Sequence, residues 1–148
     1  MKKCFFIGHR EYSEKLYLEI LQAIELCISE YEVCEFIVGQ YGKFDYLASK
    51  CIIEIKKKHP HIIFTMLLPY LPFEQKTELP QGFDGSLYPK GMESVPRRFA
   101  IVRANRYAVA HADVLIAYVG HTASNARNLL EYAEKKAERN GLRIIRMA

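Results

Sequence analysis

No run of about 18 apolar residues occurs in this 148-residue chain, so no segment of it reads as a membrane span. The opening Met1-Lys2-Lys3, followed by the apolar Cys4 to Ile7, has the look of a secretion signal. That stretch is too short for one, and His9 and Arg10 cut it off. Cysteine pairs at metal-binding spacing are lacking as well. Cys4, Cys27, Cys34 and Cys51 include no C-x₂₋₄-C pair, so they are expected to be buried free thiols of a cytoplasmic protein. No cluster of His, Asp or Glu has recognisable ligand spacing, and neither a metal nor a cofactor is expected. Charge of one sign is scarce too, with a formal net of +4. The basic groups Lys56 to Lys58, Arg97-Arg98 and Lys135-Lys136 are expected to be solvated helix ends. A nucleic-acid surface calls for a basic stripe interleaved with aromatics, and none is visible along the chain, which counts against nucleic acid as a partner. Internal repeats and low-complexity segments are absent.

What is present is ordinary globular material: 50% hydrophobic and 26% charged residues, at a length that fits one domain over 1–148. A chain of this size buries roughly 68–70% of its unfolded surface, which suffices without disulfide or metal. Cys4 to Ile7 is a short apolar run closed by Gly8, as in a buried parallel strand. Apolar residues then recur at Leu16, Ile20, Ala23, Ile24, Cys27 and Ile28, one stripe along a helix. Glu35 to Val38 reads as a second strand, ended by Gly39. The second helix carries Leu47, Ala48, Cys51, Ile52 and Ile55 on its inner side, with three lysines complementing the dipole at its end. Ile62 to Leu68 is the third strand.

Residues 69–95 hold four prolines and three glycines without sustained periodicity, and a long irregular loop is expected there. Pro96 suits the first turn of a third helix, with Phe99, Val102, Tyr107 and Ala110 expected inside. Val114 to Val119 is the fourth strand, a helix follows from about Ser124 to Arg139, and Asn140-Gly141 stops it. Leu142 to Met147 is the fifth. This alternation specifies an α/β fold, a Rossmann-like doubly wound sheet of five mainly parallel strands with helices on both faces.

In such sheets ligands sit beyond the carboxyl ends of the strands, where strand order reverses. The segments at those ends are Gly8-His9-Arg10, then Gly39-Gln40 through Gly42, Phe44 and Asp45, then Pro69 onward, and Gly120-His121 through Ser124-Asn125. Glycine lets a ligand approach the backbone, and the start of the following helix favours an anion. Each residue also has a plain reading. The glycines can make tight turns, Asp45 can answer the helix dipole, Ser124 can be an N-cap, and Glu131 can be solvated or paired locally.

The motifs Cys4-Phe5-Phe6-Ile7-Gly8-His9-Arg10, Phe36 to Ala48 with its Gly-x-x-Gly-x-Phe-Asp core, and Ala104-Asn105-Arg106-Tyr107 ahead of Asp113 resemble the SLOG superfamily. More narrowly they resemble a bacterial group described as a DUF1273-like domain of unknown function. Glu131-Tyr132-Ala133 extends the likeness, which spans essentially the whole chain. The resemblance implies a Rossmann-like fold and a nucleotide or nucleotide-derived ligand. It implies a pocket lined by Gly8, His9 and Arg10, by Gly39, Gly42 and Asp45, and by Asn105 and Arg106 from the third helix. Gln75 resembles a glutamine that follows the third strand in relatives. Two departures stand out. Ala104 replaces an arginine usual in that group, and Ser124-Asn125 replaces a Gly-Gly pair. In the phosphoribohydrolase branch a glutamate pair follows that turn, and here Ala126 and Arg127 occupy those positions.

Three functions follow as alternatives. The leading one is a binding or sensor protein for a nucleotide-like molecule, with His9, Arg10 and Arg106 for phosphate and Asp45 for a ribose or base. The second is an enzyme cleaving or transferring an N-glycosidic bond, for which Asp45 and Glu131 are the candidate carboxylates. The third is a partner-binding protein whose pocket has decayed. Homo-oligomers are common among such folds, although no stripe in the chain demands one.

Overall fold

The computed structural model describes residues 1–8, 14–39, 42–70, 79–120 and 125–147. Among these residues six strands form one sheet: β1 (Lys2–Gly8), β2 (Val33–Val38), β3 (Ile63–Leu67), β4 (Gly85–Leu87), β5 (Val114–Tyr118) and β6 (Arg143–Arg146). Their order is β4-β3-β2-β1-β5-β6, and each neighbouring pair is parallel. Four helices connect them: α1 (Glu14–Tyr31), α2 (Lys43–Lys58), α3 (Ala100–His111) and α4 (Asn125–Asn140).

The central strand shows why its sequence is an unbroken apolar run. Cys4 and Phe6 pack on one face with the inner residues of α1 and α2. Phe5 and Ile7 pack on the other with those of α3 and α4. Both faces are covered, so alternation gives way to continuous hydrophobicity. At the amino edge Asp113 ties three strands together. Its carboxylate accepts the Lys3 N–H at 2.9 Å, its N–H donates to the Lys3 carbonyl at 2.8 Å, and its carbonyl accepts the Arg143 N–H at 3.1 Å. Gly141, at φ +74°, closes α4 in the left-handed conformation, and its N–H donates to the Ala137 carbonyl at 3.2 Å.

Two expectations are corrected. The sheet has six strands, not five, because the stretch expected to be an irregular loop contributes β4. Gly85-Ser86-Leu87 is too short and too polar to announce a strand. It forms because its lead-in is anchored. The Asp84 N–H donates to the Phe64 carbonyl at 2.8 Å, the Asp84 carboxylate accepts the Phe64 N–H at 2.8 Å, and Lys56 of α2 pairs with the same carboxylate. The Phe83 ring lies on Phe64, centres 3.9 Å apart. Beyond β4, Met92–Ser94 and Arg97–Phe99 are single 3-10 turns that lead into α3.

The second correction concerns the inner face of α3. Ala100, Ala104, Ala108 and Val109 are buried, whereas Phe99 is 51% and Val102 42% exposed. Tyr107 and Ala110 are only partly buried. Alanines four residues apart make one smooth stripe that meets the sheet directly, and the bulkier residues are turned to solvent.

Candidate functional site

Strand order reverses between β1 and β5, since from β1 the chain first builds outward through β2, β3 and β4 and then returns to the other side. Gly8 ends β1 in register with Tyr118 of β5. A Cβ on Gly8 would lie 2.4 Å from the Phe44 ring, so only glycine permits that ring its place. The Phe44 and Tyr118 rings are near parallel, at 18° with centres 6.2 Å apart. Phe44 is 1% exposed. The sequence places it among the candidate ligand-binding residues; its buried ring locks the first turn of α2 onto the ends of β1 and β5.

Gly39 follows β2, and a Cβ there would meet Asp45 Oδ2 at 3.2 Å. The Asp45 carboxylate therefore turns back over the end of β2, while its backbone carbonyl accepts the Ser49 hydroxyl at 2.9 Å. Gly42 differs from both. Its φ of −173° is extended backbone open to any residue, and a Cβ would have nothing among the described residues within 4 Å. It is the N-cap of α2 and, as glycine, contributes no side-chain cap bond. A helix start without a side-chain cap presents partial positive charge and N–H groups.

Gly8, Gly39, Gly42, Phe44 and Asp45 are thus assembled at one edge. Gly120, just past β5, and Asn125, the first residue of α4, stand exposed at the same edge of the sheet. His9, Arg10, Gln40, Gln75, His121 and Ser124 lie outside the described residues. Asn105 and Arg106 stand near the middle of α3, Arg106 about 9 Å from its start at 1.5 Å per residue. The Arg106 guanidinium lies 5.2 Å from the centre of the Tyr132 ring of α4, in the seam between the two helices. Glu131 is exposed on α4 and ion-paired with Arg127 at 3.5 Å, its plain reading. The two candidate carboxylates therefore sit on different helices. Ala104, 1% exposed, belongs to the core.

The four cysteines are free; Cys4, Cys27 and Cys51 are buried as expected, whereas Cys34 on β2 is only partly buried. Burial, with the neighbouring Cys27 adding to it, pushes the Cys4 thiol well up. Burial raises Cys51 to about 12, only partly offset by the Lys50 charge. Such thiols are poor nucleophiles at neutral pH. Among the described residues no group of three or more His, Cys, Asp or Glu is arranged to hold a metal, and no helix among them is long and apolar enough to cross a membrane. Tyr118 was not among the sequence candidates. Its position opposite Gly8 follows from sheet order, which no local signal carries.

Strand order, parallel pairing and helices on both faces define a Rossmann-like α/β protein. The particular likenesses are few. No family model matches the chain. An uncharacterized SPbeta prophage-derived protein, YoqJ, of Bacillus subtilis (strain 168) is 26% identical over 143 residues, covering 82% of this chain and 81% of that protein. DNA processing protein A of Helicobacter pylori, a structure described for its single-stranded DNA binding mode, superposes over 99% of this chain at a TM-score of 0.60 and 16% identity. This chain covers 65% of that protein's length. The expectation that nucleic acid is an unlikely partner is overturned by this finding, because a protein of the same fold binds single-stranded DNA. A basic and aromatic stripe need not be contiguous in sequence, since a fold assembles its surface from separate segments.

Proposed function

We propose that this protein binds a nucleotide-type ligand at the carboxyl edge of its sheet, with a phosphate at the start of α2 and the sugar or base beside Asp45. The observation that carries this reading is Gly42. Among the described residues neither packing nor backbone conformation calls for glycine there, and Gly42 supplies no side-chain cap at a helix start beside the β1–β5 switch point. The motif likeness to the SLOG superfamily supports a binding or sensing role over hydrolysis, because the glutamate pair of the hydrolytic branch is replaced by Ala126 and Arg127. The ligand is a free nucleotide or a nucleotide unit within a single strand, and the fold of DNA processing protein A favours keeping the second form in view.

Thermal-shift and calorimetric titration with ADP, ADP-ribose, NAD and a short oligo-dT test the reading. A ligand at 100 times its Kd stabilises a protein by about 2.7 kcal/mol. Gly42→Asp separates binding from folding. Aspartate is at least as good an N-cap as glycine, so the melting temperature holds or rises, while its carboxylate repels phosphate and removes the ligand-induced shift. An equal shift in wild type and Gly42→Asp overturns the assignment.

A further inference from the structure

The exposed face of α3 carries a feature that the crevice does not use. Phe99, Val102, Arg103 and Arg106 follow the i, i+3, i+4, i+7 spacing of one helical face, and all four are solvent-exposed. Guanidinium and aromatic groups are paired along it. Arg98 lies over the Phe99 ring at 4.8 Å and Arg106 over Tyr132 at 5.2 Å. The row continues toward the carboxyl edge, where Arg97 lies over Tyr70 at 4.3 Å. No carboxylate among the described residues forms an ion pair with Arg98, Arg103 or Arg106. These groups come from three separate segments of the chain: Tyr70 beyond β3, the 3-10 turn running on into α3, and α4.

We infer that this face is a track for single-stranded nucleic acid, separate from the crevice. Guanidinium forks suit phosphate oxygens, and the exposed Phe99 ring and flat guanidinium planes suit unpaired bases. A second copy of the chain fits the face poorly. A two-fold interface would set the same unpaired arginines against each other, and burying unpaired charge is costly. Duplex DNA offers phosphates but keeps its bases stacked away from Phe99 and Tyr132.

The test is fluorescence anisotropy of labelled oligo-dT and of a duplex of equal length, over a range of salt concentrations. The wild type binds the single strand more tightly than the duplex. The variant combining Arg98→Ala, Arg103→Ala and Arg106→Ala loses most of that affinity. At about 0.7 per phosphate contact, its slope of log K against log salt flattens by about 2. Phe99→Ala weakens binding by roughly tenfold or more through lost stacking and leaves the slope in place. The corresponding triple lysine variant keeps the slope, which shows that a loss in the alanine variant is one of charge rather than of fold. The nucleotide-induced thermal shift stays at wild-type size in the Arg98→Ala, Arg103→Ala double variant, so failure of the track and failure of the crevice are distinct results. Unchanged affinity and slope in the triple variant overturn the inference, as does a wild type that binds no single strand. Sedimentation showing a dimer that Phe99→Ser dissociates overturns it in favour of self-association.

Discussion

Helices α2 and α3 cover opposite faces of the same sheet and solve the packing problem in opposite ways. On α2 the bulky side chains point inward: Phe44, Leu47, Cys51, Ile52 and Ile55 are buried with Ala48. On α3 the inner stripe is alanine, at 100, 104 and 108, and bulk is turned outward as Phe99 and Val102 beside Arg103 and Arg106. The inner-face bulk of α2 is thus core, with Tyr46 and Ile53 left exposed. On α3 Val109 is buried with the alanines, while Val102 lies on a surface where arginines stack on aromatic rings. Helical period is the same in both cases, so period alone does not say which apolar face is inside. The sheet's shape and the neighbouring side chains decide.

The largest effect that tests this contrast is Phe44→Ala. Removing the ring wedged between Gly8 and Tyr118 is expected to cost about 3–5 kcal/mol, read from urea or guanidinium unfolding. Ala104→Leu comes next. It adds bulk to the buried stripe of α3 and is expected to cost about 1–3 kcal/mol by overpacking, although leucine is a good helix former. If Ala104→Leu is neutral, the inner stripe is looser than its 1% exposure implies. Phe99→Ala, by contrast, is expected to shift stability by no more than about 0.5 kcal/mol.

Acid offers a milder test of the β4 edge. Burial raises the Asp84 carboxyl, but the hydrogen bond from Lys56, that from the Phe64 N–H and the Lys56 charge outweigh it and hold its pKa below the ordinary carboxylate value. A carboxyl depressed in the folded state contributes stability above its unfolded pKa. That contribution fades as pH falls through the folded value. Stability measured from neutral pH down into the acid range is therefore expected to fall less steeply in Asp84→Asn than in wild type. Identical pH profiles would mean that the Lys56–Asp84 contact does not hold β4 in solution.

Much of the fold was legible because its signals are local. The unbroken apolar run at Cys4 to Ile7 marks a strand covered on both sides. The stripe from Leu16 to Ile28 marks α1, and Asn140-Gly141 marks the end of α4, where Gly141 takes the left-handed conformation. Glycines after β1 and β2 pointed to the edge where Gly8, Gly39, Gly42 and Asp45 gather. Strand β4 was not legible, since three residues without an apolar run become a strand only when Asp84 and Phe83 fasten them to β3. Nor was the place of Arg106. A motif supplies its neighbours in sequence, but its side chain lies over a ring 26 positions further on.

The sequence by itself determined the alternation of strands and helices, the absence of a long apolar span and the residues at the strand ends, because period, turn chemistry and run length are properties of adjacent residues. Tertiary structure alone decided which side of α3 faces the sheet, which glycine is required by packing and which is left open, and how separated arginines and aromatics come together. Those outcomes depend on contacts between distant segments, and their energies exist only once the sheet has brought the segments together.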